Sequence, residues 1–213
     1  IKKRKKTPIL VGGTGLYFKA ITEGLVKIPN IPERFRKNVR SLHKKVGNKK
    51  FFLKLAKLDH LAKTYINPSD TQRIIRAYEV KSYTKKSIYD WFKKTKSDFE
   101  NRDFYKILID YPRDELIKRI NYRTKNMIKD GAISEVKRLI KLKLPKNKTS
   151  IKAIGIEEIS SFLNKKIQIP EVIEKISIKT RQYAKRQTTW GRGNMISWNK
   201  LKSDSLEKFL KKI

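Results

Sequence analysis

One segment constrains the fold of this chain more than any other: Pro8-Ile9-Leu10-Val11 is wholly apolar and runs straight into Gly12-Gly13-Thr14-Gly15. A short apolar run ending in a glycine turn marks a strand buried on both faces that passes into a helix, the pattern of an α/β sheet. One strand cannot make a sheet. The other strand candidates are Lys106–Tyr111 (KILIDY) and a short Met195–Trp198 (MISW), so the sheet is expected to be short of members, with an N-terminal portion of the core missing.

Between these pieces the pattern is helical. Leu16–Leu25 predicts a short helix closed at Gly24, followed by a proline-punctuated connector, Ile28-Pro29-Asn30-Ile31-Pro32. Phe51, Leu55, Leu58, Ala62 and Tyr65 recur at alternating helical steps and predict one apolar stripe. Asn67-Pro68-Ser69-Asp70 breaks that stripe and offers Asp70 as the N-cap of a helix through Val80. After Pro112, Asp114 and Glu115 fill the first turn of a helix whose core face carries Leu116, Ile120, Thr124 and Met127 and which stops at Asp130-Gly131. A second helix carries Ile133, Val136, Leu139 and Ile140, and Lys143–Ser150 is a polar loop. Further helices are expected over Gly155–Leu163 and Pro170–Trp190, with a short Lys-rich one past Ser203. The organisation expected is an α/β core formed by 1–32 and 99–213, with an all-helical insertion over 33–98.

Charge narrows the partners. The 213 residues carry 54 Lys+Arg against 20 Asp+Glu, a formal net charge of +34 at pH 7, so the expected large partner is a polyanion. Bulk lysine solvates as much as it binds; the informative positions are patterned arginines, because guanidinium forks phosphate and stacks on bases. No run approaches the roughly 18 to 20 apolar residues of a spanning helix, and the basic start IKKRKK is followed only by the short TPILV. The expectation is a soluble cytoplasmic protein without membrane contact. The absence of cysteine excludes a disulfide framework, a thiol nucleophile and a thiolate zinc site, and His43 and His60 are isolated.

Four groups of residues are candidates for chemistry. Gly12-Gly13-Thr14-Gly15 sits where strand meets helix, a place to receive an anion on backbone amides or simply a tight turn; without Gly-Lys-Ser/Thr it is no Walker A loop. Thr180–Trp190 interleaves cations, amides and a terminal aromatic, suited to phosphates, base edges and stacking, or else to solvent. Arg119 and Arg123 project from one side of a helix, where they can clamp a diphosphate or pair with Asp114 and Glu115. Gln72, Arg73 and Arg76 line a helix edge that can face RNA, although both arginines can equally pair with Glu79.

Five ordered motifs now carry a resemblance: PILVGGTGLYFKA at 8–20, NPSDTQRIIRAYEV at 67–80, RINYRTKNM at 119–127, AIGIEE at 153–158 and TRQYAKRQTTW at 180–190. In this order they resemble the tRNA dimethylallyltransferases, the tRNA isopentenyltransferase family. The resemblance implies a P-loop-type parallel-sheet core with a helical insertion. It also implies transfer of a dimethylallyl group from dimethylallyl diphosphate to N6 of the adenosine 3′ of the anticodon, flipped out of its stack. The implied partners are the tRNA anticodon arm and dimethylallyl diphosphate, with Mg2+ accompanying the diphosphate and a monomeric protein. Thr14 matches a threonine near the target adenosine. Gly12, Gly13 and Arg123 match the diphosphate side. Arg36, the run Gln72, Arg73, Ile74, Ile75 and Arg76, the run Lys152, Ala153, Ile154, Gly155, Ile156 and Glu157, and the run Lys185, Arg186, Gln187, Thr188, Thr189, Trp190, Gly191 and Arg192 match tRNA-contacting positions.

The departures are specific. The family's G-x-T-x-x-G-K-[ST] loop and its general-base aspartate precede the glycine turn in the family and do not occur in this sequence, so these residues are not expected to catalyse alone. Ile156 and Glu157 stand where the family has an aromatic and often a base, and Gly191 stands where it commonly has a large residue. A non-catalytic basic RNA-binding protein derived from the family is the alternative reading.

Overall fold

The computed structural model describes residues 2–145 and 149–211 and divides into two compact units, Leu16–Phe104 and the pair Ile1–Gly15 with Tyr105–Ile213.

The Leu16–Phe104 unit is helical. Its elements are α1 (Gly15–Thr22, from Leu16 on), α2 (Glu33–Val46), α3 (Asn48–Leu58), α4 (His60–Tyr65), α5 (Thr71–Thr84) and α6 (Ile88–Lys93). Val39, Phe51, Leu55, Ala62, Ile66, Ile74 and Ala77 form its core. The expected single stripe over Phe51–Tyr65 is two helices. Asp59 is buried and its Oδ1 accepts the Ala62 N–H at 3.2 Å, so it caps α4 and interrupts the ladder, turning Leu58 and Tyr65 outward. Asp70 caps α5 as expected, accepting the Arg73 N–H at 3.1 Å, and the helix continues past Val80 to Thr84. The unit extends beyond 33–98 at both ends for a local reason. Ser97 Oγ donates to the Ile21 carbonyl at 2.6 Å, and Gly24 packs against the Lys96 backbone, so α1 and its exit travel with the helices.

The second unit contains β1 (Ile107–Asp110), α7 (Arg113–Lys129), α8 (Ala132–Lys141), α9 (Ile156–Leu163), α10 (Ile169–Asn194), β2 (Asn199–Lys202) and α11 (Leu206–Leu210). β1 and β2 are parallel, with Ile107 opposite Asn199 and Asp110 opposite Lys202. Two strand expectations are corrected. Pro8–Val11 forms no strand: Ile9 and Val11 are 72% and 89% exposed, and no strand among the described residues lies alongside to complete a ladder. Nor does Met195–Trp198; α10 runs through Asn194, Met195 is buried beyond its end, the Trp198 N–H turns back to the Met195 carbonyl at 3.2 Å, and pairing begins only at Asn199. Ile120 and Thr124 are the buried positions of α7, as the sequence pattern predicts. Ala132, Val136, Ile159, Val172 and Ile176 form the core between α8, α9 and α10, whereas Ile140 is exposed. The polar loop falls partly on 146–148, outside the described residues.

Candidate nucleic-acid interface and phosphate turn

The glycine turn is seated on α10. A Cβ on Gly13 would overlap the Gln187 amide, and one on Gly15 would overlap the Trp190 ring, so the turn approaches this helix more closely than any side-chain-bearing residue allows. Between them, hydrogen bonds from the Thr14 hydroxyl and then from Gln187 hold the Tyr183 phenol below its ordinary value; slight desolvation opposes them and the Arg186 charge adds to them. The Arg186 guanidinium lies 5.7 Å from the centre of the Tyr183 ring. Thus two segments distant in sequence, the turn and the cation-amide-aromatic helix, form one surface. Lys185, Arg186, Thr188, Thr189 and Arg192 are exposed on α10, while Gln187 and Trp190 are half-buried beneath the turn. Gly191 is buried against Leu108 of β1, which explains why a small residue stands there.

Around Gly155 the structure places Lys152, Ala153, Ile154 and Glu157 at the surface, buries Gly155 and half-buries Ile156. Glu158 is buried; its Oε2 accepts the Gly155 N–H at 3.0 Å. Lys179 on α10 bridges this carboxylate and Glu157, reaching the latter at 2.6 Å. Glu157, acidic where the family often has a base, is therefore ion-paired within the chain. Burial alone raises the Glu158 carboxyl, but the hydrogen bond from Lys179, the backbone donors and the Lys179 charge outweigh it and hold the group below the usual carboxylate range. Hydrogen bonds to Glu157 and Glu158 raise Lys179 against a smaller desolvation.

The sign of the pH dependence follows. A carboxyl lowered on folding adds stability above its unfolded value and loses that contribution as pH falls through its lowered folded value; a raised lysine contributes below its ordinary value and stops only above the raised one. Lys179→Met is expected to destabilise the chain by about 1–3 kcal/mol at neutral pH by leaving Glu158 unpaired. In chemical denaturation, the gap between variant and parent should close as pH falls through the lowered Glu158 range. A gap that stays constant into acid refutes the pairing.

Arginine placement separates the remaining candidates. On α7, Arg119 donates from Nη1 to the Tyr111 hydroxyl at 3.0 Å and lies over that ring, not on Asp114 or Glu115. Arg123, one turn later, is exposed and joins no ion pair among the described residues. On α5, Gln72 and Arg73 are exposed, Arg73 pairing with Asp70 at 3.2 Å, whereas Ile74 is fully buried and Ile75 half-buried. Arg36 and Arg76 both turn to Glu79. Sequence reading treats Glu79 as an ordinary surface partner; it is 1% exposed. Its flanking position between the buried Ala77 and Val80 was the available signal.

The IPP transferase family matches residues 1–194 of the 213. The chain belongs to the IPP transferase family. Among curated members, the tRNA dimethylallyltransferase of Pelagibacter ubique (strain HTCC1062) is 55% identical over 213 residues, covering 100% of this chain and 68% of that protein. That of Rickettsia massiliae (strain Mtu5) is 44% identical over 191 residues, covering 89% of this chain and 53% of that protein. This IPP transferase chain thus spans between 53% and 68% of the length of these two relatives. The solved tRNA delta(2)-isopentenylpyrophosphate transferase of Staphylococcus epidermidis has a TM-score of 0.56 at 27% identity, covering 100% of this chain and 72% of that one. A eukaryotic dimethylallyltransferase, crystallised acting on tRNA, has a TM-score of 0.73 at 25% identity over 95% of this chain and 52% of its own. The family is one of prenyltransferase enzymes, and a parallel strand pair among helices agrees with the α/β class expected of it. No helix among the described residues is long and apolar enough to cross a membrane.

Proposed function

We propose that this chain serves the transfer of a dimethylallyl group from dimethylallyl diphosphate to N6 of the adenosine 3′ of the anticodon in tRNA. In this reading it supplies the RNA-facing helices and the glycine turn. The motif G-x-T-x-x-G-K-[ST] does not occur in these 213 residues, and no general base is assigned among them. The observation that carries the reading is the seating of the turn on α10, which puts Thr14 beside Tyr183 and Gln187 with Arg186 at the rim. That surface joins a hydroxyl and an amide, suited to an adenine edge, to a cation suited to the RNA backbone.

The chemistry makes two demands. N6 is a weak nucleophile that must lose a proton as the C–N bond forms, and diphosphate leaves as an anion whose growing charge needs donors. The Thr14 hydroxyl is the group proposed to orient the amine. The exposed Arg123, free of a carboxylate partner among the described residues, is the cation proposed for diphosphate, and the Gly12 and Gly13 amides of the turn are proposed as further donors. No group of three or more His, Cys, Asp or Glu side chains that could hold a metal ion is clustered among the described residues.

The decisive assay joins this chain to the part of the Pelagibacter ubique relative that it does not cover and offers the product unmodified tRNA with dimethylallyl diphosphate. N6-dimethylallyladenosine next to the anticodon is expected; a folded chimera that binds tRNA and leaves it unmodified overturns the proposal. Within the same chimera, Arg186→Ala should weaken tRNA binding and reduce its salt dependence by about one released counterion, whereas an unchanged slope would make α10 a merely solvated helix.

A further inference from the structure

We propose that Glu79 is a positioning residue that gathers Arg36, Arg40 and Arg76 into one fork for an RNA backbone phosphate. The inference rests on the reading that tRNA is the partner, and adds to it a subsite and the residue that builds it. Arg36 and Arg40 lie one turn apart on α2, and Arg76 lies on α5 three residues before Glu79. The Glu79 side chain is 2% exposed, and the three arginines meet it from both helices. Arg36 Nε stands 3.6 Å from Oε2, Arg40 Nε 3.8 Å from Oε1, and Arg76 Nη1 donates to Oε2 at 3.3 Å.

Three cations around one anion leave a local excess of two positive charges. The arginine side chains are 42%, 56% and 41% exposed, so the excess faces solvent. Arg36 and Arg40 approach the carboxylate through Nε, and Arg36 Nε and Glu79 Oε1 make no well-aligned hydrogen bond. A guanidinium carries five N–H donors in a rigid fork, so the terminal nitrogens retain capacity for a second anion. Beside them a cavity of about 300 Å³ is lined by Arg36, Lys37 and Arg40 together with Asn30, Pro32 and Glu33. Without Glu79 the three guanidiniums would repel one another and scatter; with it they are held around one carboxylate, close enough together to share an anion as charged forks do. A carboxylate buried for stability alone is poorly explained by such long contacts.

The test exploits a conflict of signs. Glu79→Gln removes a negative charge from a surface that meets a polyanion, so long-range electrostatics alone predicts tighter binding. Positioning predicts the reverse. Fluorescence titration of an anticodon stem-loop with the 213-residue chain, repeated across a salt series, should show Glu79→Gln binding about tenfold more weakly, with a salt slope lower by about one to two counterions. Equal or tighter binding by a variant of unchanged helix content overturns the proposal. Should Glu79→Gln not fold, the half-exposed Arg40→Ala carries the test: weaker binding with a lower slope supports the fork, and unchanged binding overturns it. Inorganic diphosphate serves as the competing probe. Arg40-dependent binding of diphosphate, with RNA affinity indifferent to Arg40, assigns the cavity to a free anion and overturns the RNA assignment. Failure of the unmodified chain to bind the stem-loop overturns both this proposal and the functional reading beneath it, whereas an effectless Glu79→Gln overturns only the former.

Discussion

Truncating Phe51 to alanine is expected to lower the stability of the helical unit by about 3–5 kcal/mol, the largest single-residue effect anticipated in this chain. Phe51 is 0% exposed, and its ring centre lies 5.1 Å from His43 on α2 and 4.7 Å from Tyr78 on α5. It is therefore the wedge that keeps α2, α3 and α5 in register. The cost combines lost transfer free energy with a cavity that flanking helices cannot fill, since Leu55, Ile74 and Ala77 are already packed around it. Urea unfolding followed by circular dichroism measures it. A loss below about 1 kcal/mol would mean that the site collapses around the smaller residue. Because α2 and α5 also carry Arg36, Arg40 and Arg76, RNA affinity should fall along with stability.

Gly24→Ala is expected to be nearly as damaging, by about 2–4 kcal/mol, through two additive causes. The backbone of Gly24 has φ +97°, which side-chain-bearing residues rarely adopt, and its Cβ would meet the Lys96 carbonyl, a main-chain group that cannot rotate aside. Gly47 supplies the control. It also has positive φ, +77°, but a Cβ there meets nothing within 4 Å, so Gly47→Ala should register only the conformational strain of about 1–3 kcal/mol. Denaturation midpoints of the two variants then isolate the close approach. Equal losses would show that the α1 exit does not press on Lys96.

What was legible in the sequence is what local chemistry decides. Asp70 announces its helix because an aspartate before an amphipathic run satisfies the first free amides, and Pro112 and Asp130-Gly131 bound α7 by the same kind of rule. β1 is visible as an apolar run, and two of the five motifs, those at 8–20 and 180–190, meet where the glycine turn packs on α10. Illegible features depend on distant partners. Asp59 divides a continuous apolar stripe because its carboxylate finds an amide inside the core. Pro8–Val11 has a strand's composition, but ladder formation needs a neighbour that composition cannot supply. β2 begins after Trp198 because α10 outlasts its expected end. The flanking Ala77 and Val80 hint at burial of Glu79, but its role as a hub is illegible for the same reason: it arises only when α2 brings two more arginines to it.

The parallel pairing of Ile107–Asp110 with Asn199–Lys202 also sets an order of events during folding. Among the described residues α7, α8, α9 and α10 lie between these strands, and a parallel pair cannot zip from a tight hairpin. Chain closure over so long a span costs entropy before any ladder bond forms, while the core of Leu16–Phe104 closes over the shorter span from Val39 to Ala77. The helical unit should thus reach its native packing first, and the last contact made in the other should be the one that positions β1 beneath Gly191.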